Sequence, residues 1–101
     1  MKVIKVIIDH MNDTLKEARD YYKDYVMYKD EFPKVAQTAI EMAQNHMNLY
    51  MRWHDVVVNL INDYKIKKGE IPPQMKEIYD YEHRRLTEYY EELNFKIRNK
   101  I

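Results

Sequence analysis

The sequence predicts an all-α protein, three long antiparallel helices in an up-down-up bundle that form a single domain over residues 1–101. Two observations carry that prediction. Apolar residues recur at alternating spacings of three and four through most of the chain, the pattern of a helix that buries one face. Strong helix-breaking punctuation occurs at only two places, Pro33 and the Gly69–Pro73 stretch, and these cut the chain into three comparable segments. The composition agrees, because one Gly, three Pro and no Cys leave little turn chemistry for a many-stranded β protein. Helices are expected over roughly 9–31, 34–67 and 73–99.

In the first segment, Ile4, Ile8, Met11, Leu15, Ala18, Tyr22 and Tyr25 follow the helical alternation despite a β-branched opening. Asp9 is one candidate N-cap. Thr14 and Glu17 have capping-box spacing, so residues before 9, or even before 14, are left open to an extended conformation.

The second segment carries two adjacent rows. One runs through Ala36, Ile40, Ala43, Met47, Tyr50, His54, Val57, Ile61 and Tyr64. The other runs beside it through Val35, Ala39, Met42, His46, Leu49, Trp53, Val56 and Leu60. A face this wide needs two neighbours, which makes the second helix the central one. Lys65, Lys67 and Lys68 precede Gly69, where cations favour the negative end of a helix dipole, and Pro72 or Pro73 suits a first helical turn. The third segment reads Met75, Tyr79, Glu82, Leu86, Tyr89, Leu93 and Ile97, an apolar row with one carboxylate.

Seventeen basic and seventeen acidic residues give a formal net charge of zero, without the electropositive excess most nucleic-acid binders use. Nucleic acid stays a third reading only through the lysines at 65–68 and 96–100, and its sign would be affinity that falls steeply with salt. The apolar run from Val3 to Ile8 is broken by Lys5 and followed by Asp9 and His10. That is neither a membrane span nor a signal peptide, so a non-membrane, non-secreted protein is expected.

Absent cysteines exclude thiolate catalysis and zinc-thiolate sites, and fit a reducing cytosolic or virion setting. One glycine and no serine leave neither a phosphate-cradling loop nor a nucleophile elbow, and no His-Glu-x-x-His occurs. No catalytic residue or cofactor is therefore predicted.

The sharpest chemical feature is polar residues on apolar faces. Folding the three segments together brings His54 level with Glu82 to Leu86 and with Asp9 and His10. One layer could then hold His10, His54, Glu82 and His83, residue types that bind iron, manganese or zinc inside helical bundles. The competing expectation is a structural His54–Glu82 pair, since a histidine in an apolar stripe is more often a satisfied core residue than a ligand. A separate layer would bring Glu17 near His46. The di-iron pattern requires Glu-x-x-His on two helices plus a glutamate from each of two others; here Asp80-Tyr81-Glu82-His83 has aspartate in place of glutamate. Three helices supply three of four walls, so such a site would need a second subunit.

From Pro33 onward the chain resembles small proteins encoded by tailed phages and prophages of Gram-positive bacteria. The resemblance rests on Pro33, Ala36, Ala43, His46-Met47, His54, Val56-Val57, Leu60-Ile61, Gly69, Pro72, Met75, Tyr79, Tyr81 and His83, about half of the chain. Those proteins look like ferritin-type helical hairpins without an assigned reaction. The resemblance implies a ferritin-like bundle completed by oligomerisation, and a place in the virion or the host cytoplasm. Ala43 stands where a ferritin-type motif would carry glutamate.

Ten tyrosines, suited to half-buried positions and common at interfaces, edge the predicted rod. The expected function is a non-enzymatic phage protein acting by self-association or on a protein partner, as a particle component or as a binder of a host protein. The alternative is a ferritin-like metal-binding protein.

Overall fold

The structure, a computed structural model, describes residues 2–100 and contains three helices: α1 (Lys2–Tyr28), α2 (Pro33–Lys68) and α3 (Pro73–Asn99). No strand occurs among the described residues. The expected core position Met75 lies outside the described side chains.

Both interhelical breaks fall where the punctuation puts them. Pro33 opens α2, where its missing N–H would have had no intrahelical partner. Gly69 ends α2 at φ 90°, a conformation L side chains rarely adopt, and its N–H donates to the Lys65 carbonyl at 2.9 Å. Lys65, Lys67 and Lys68 occupy the last turn, as dipole complementarity requires. Pro73 opens α3, and Lys100 closes it in the left-handed region with Lys96 and Arg98 in the final turn.

The start of α1 departs from expectation. The helix runs from Lys2, so neither Asp9 nor Thr14 is an N-cap. Thr14 is buried and its hydroxyl donates to the His10 carbonyl at 2.7 Å, back along its own helix. The reason is tertiary: Ile4, Ile7 and Ile8 are all buried in the shared core, and that burial outweighs their β-branched preference.

Side-chain contacts fix the directions. His10 meets Trp53 and Glu17 meets His46, so α1 and α2 are antiparallel. His54 meets His83 and Tyr50 meets Tyr90, so α2 and α3 are antiparallel too. The result is an up-down-up rod of 56 × 19 × 17 Å, whose long axis matches the ~54 Å expected of the 36-residue α2 at ~1.5 Å per residue.

The two interfaces of α2 differ in kind. Buried Ala18, Ala36, Ala39 and Ala43 let the α1 and α2 backbones approach closely over much of their length. The α3 backbone comes close to its neighbours at few points, held off by large side chains: buried Leu86, Leu93 and Ile97, with Tyr79, Tyr89 and Tyr90 packed at the core edge. Burying a Leu or Ile stabilises by about 1.5–3 kcal/mol, so each of these three anchors contributes substantially to docking α3.

α2 is not the middle helix that its two apolar rows led one to expect, with one neighbour on each side, because α3 approaches α1 as much as α2 and all three helices surround one shared core. The second apolar row of α2 is only partly covered. Val35 (50% exposed), Leu49 (38%) and Val56 (41%) remain open along the margin of α2 that faces away from α3. Two neighbours do not span both rows.

Candidate functional site

The polar residues on the inner faces separate into four clusters. His54 and His83 face each other across α2 and α3, with Nε2 to Nε2 at 3.0 Å. One imidazole must donate and the other accept, so the two rings hold complementary tautomers. Their centroids lie 5.2 Å apart at 31° between planes. Tyr79 stacks on the far side of His83 at 5.3 Å, Tyr50 stacks beyond His54 at 6.5 Å, and Tyr90 stacks on Tyr50 at 4.8 Å. Five rings thus form a continuous ladder stitching α2 to α3.

Burial lowers the pKa of His83, the facing His54 lowers it further, and Asp80 one turn away opposes both. The ladder is therefore built for neutral imidazole at His83. Burial also pushes the Tyr50 hydroxyl up to about 12, against the pull of its hydrogen bond with Thr87, and raises Tyr79, helped by Asp80. The His54 Nδ1 has no hydrogen-bond partner; the Asp55 carboxylate stands at 3.6 Å, within ion-pair range but beyond hydrogen-bond distance.

Glu82 does not join this ladder. Its Oε2 accepts from Arg85 Nη2 at 2.7 Å and Nε at 3.1 Å, and Arg85 reaches on to Asn12 Oδ1 of α1 at 3.3 Å. The expected His54–Glu82 pair is replaced by His54–His83. A one-residue difference in level suffices, because successive residues on a helix point ~100° apart and Glu82 is turned toward α1.

His10 is likewise elsewhere. It stacks flat on Trp53, with centroids 5.3 Å apart and 17° between planes, on the side of α2 that faces α1. The predicted layer of His10, His54, Glu82 and His83 is thus divided among three environments. Among the described residues, no group of three or more His, Asp or Glu side chains could hold a metal ion.

The second expected layer does form. Glu17 Oε2 and His46 Nε2 lie 2.8 Å apart, His46 Nδ1 lies 2.9 Å from the Met42 carbonyl, and the Tyr21 ring tilts against the imidazole at 5.2 Å. With both ring nitrogens engaged and Glu17 largely exposed, this cluster joins α1 to α2 at the solvent boundary.

Beside that cluster lies the open margin of α2. At its Pro33 end a shallow concavity is lined by Tyr21, Asp24, Val35, Thr38, Ala39 and Met42, mostly through apolar atoms. At the other end stand Val56 and, on α1, half-exposed Val3 and Val6. The sequence carries the signal for this surface as the second apolar row of α2, whose width reads as core until the neighbours of α2 are in place. No helix among the described residues is long and apolar enough to cross a membrane. No family model, no curated protein and no solved structure matches the chain.

Proposed function

We propose that this chain is a non-enzymatic, phage-encoded helical protein that acts through protein–protein contact, with the open α1–α2 margin as its binding surface. The observation that carries the reading is the row Val35, Leu49 and Val56, half exposed along one line of α2 and in line with Met42. An apolar stripe running through three seven-residue repeats is more than the scattered exposed residues of an ordinary surface. The titratable residues support the same reading, because His10, His46, Glu17 and Glu82 are each taken up in contacts between or along helices. The viral setting rests on the resemblance to phage and prophage proteins, and virion and host cytoplasm are its two locations. Stoichiometric presence in purified particles would assign it to the first.

The test is chemical cross-linking in the cells that make the protein, comparing the native chain with Leu49→Glu. The native chain is expected to yield a cross-linked species that Leu49→Glu loses while keeping its helical content. Identical cross-linking patterns from two folded proteins would remove the margin as the binding surface.

A further inference from the structure

The open margin has the spacing of a coiled-coil seam. Val35, Met42, Leu49 and Val56 recur every seven residues, and Ala39, His46, Trp53 and Leu60 follow each of them by four. A strict seven-residue repeat of this kind packs knobs into holes against another helix. Within the monomer α1 touches the second set, through His10 on Trp53 and Glu17 on His46, whereas Val35, Leu49 and Val56 of the first set are exposed and Met42 is half-buried.

Resting on the binding-surface reading above, we propose that the occupant of this seam is a second copy of the chain, paired antiparallel through α2 about a two-fold axis between His46 and Leu49. The seam is complementary to its own reverse. In that register Val35 meets Leu60 of the partner subunit, Met42 meets the partner's Trp53, and Ala39 meets the partner's Val56. The hollow around Ala39, walled by Tyr21, Val35 and Met42, thus receives the half-exposed Val56, and the two-fold repeats the fit at the other end. Parallel pairing would instead set hollow on hollow at Ala39 and imidazole on imidazole at His46. The flank formed by Thr38, Asn45, Arg52 and Asn59 agrees with the antiparallel choice, since its one charged residue, Arg52, comes opposite Asn45 of the partner subunit.

From Val35 to Leu60 the seam is ~38 Å long at ~1.5 Å per residue, and a helix is ~10–12 Å across, which gives about 400 Å² per subunit. That is half of the ~800 Å² of a standard stable interface, so the pairing is expected to be weak and dependent on concentration.

The experiment is light scattering on the full chain from ~1 μM to ~1 mM, combined with engineered disulfides. The chain has no cysteine, so each introduced thiol is alone. Mass is expected to rise with concentration toward twice the 12.5 kDa chain. Leu49→Glu and, independently, Val56→Glu are each expected to weaken the dimer at least ~10-fold while circular dichroism stays helical; both sites are already partly exposed, so the fold tolerates them. Mixing Asn45→Cys with Arg52→Cys under mild oxidation is expected to give the mixed disulfide in preference to either like pair. Like pairs alone would overturn the antiparallel register. A native chain that stays monomeric throughout overturns the second-copy inference. If that monomer still forms the Leu49-dependent cross-link in cells, the binding-surface reading stands without it; if it does not, both fall together.

Discussion

The charge on His83 bears directly on the packing of α3 against α2. Held between Tyr79 and His54, it has a pKa lowered first by burial and then by the facing imidazole, with Asp80 opposing. The unfolded chain therefore takes up this proton at a higher pH than the folded one does. Its contribution to stability is fully present above the ordinary histidine value of ~6.5 and is lost as pH falls from there toward the folded-state pKa. Denaturant melts should show lower stability at pH ~5 than at pH ~7, and His83→Gln should flatten that slope. An unchanged slope in His83→Gln would mean that the acid sensitivity belongs to another group. At this scale the sequence was legible only to within about one residue. Glu17–His46 was readable because both positions lie on the shared edge of two antiparallel helices. His54–Glu82 was not, because helix register cannot be read from loop length to better than a residue, and a single step turns a side chain by ~100°. The paired tautomers of His54 and His83 lie beyond any pattern of spacing.

The helices as elements were legible to the degree that local chemistry fixes them. Pro33, Gly69 and Pro73 act on their own backbone, so both breaks and the α2 and α3 limits follow from sequence. The first turns of α1 do not, because β-branched Val3, Ile4, Val6, Ile7 and Ile8 become helical only by burying Ile4, Ile7 and Ile8 against the other helices. The difference between close α1–α2 packing and side-chain-mediated α3 docking gives an element-scale prediction. Leu86 is 1% exposed and anchors α3, whereas Val56, on the open margin, touches little of the core. Leu86→Ala should cost ~2–5 kcal/mol and Val56→Ala under ~1 kcal/mol in a dilute, monomeric sample, as read from denaturant midpoints. Comparable losses from the two would mean that the margin of α2 is already covered in the monomer, which would leave nothing for a partner to bind.

The shape of the whole molecule separates lateral from end-on association. The rod is 56 Å long and 17–19 Å across, and α2, its longest helix, runs almost the full length. A partner seated along the seam, with the two-fold axis between His46 and Leu49, lies near the middle of α2, so a second rod adds to the cross-section and barely to the length. Exposed apolar residues also occur at the two ends, Met27 and Phe32 at the α1–α2 turn and Ile66 before Gly69 at the other. Pairing through either of those ends would set two rods in line and nearly double the long dimension. Small-angle scattering reads this directly. At concentrations where light scattering finds the dimer, lateral pairing predicts a maximum dimension close to the monomer's 56 Å and a clearly larger cross-sectional radius. A maximum dimension near twice that length, with the cross-section unchanged, would move the contact to a helical turn and away from the seven-residue repeat. The distinction has a functional consequence. Lateral pairing closes the apolar row and presents the charged outer faces of both copies, whereas end-on pairing keeps the row open and lets successive copies extend a filament without closure.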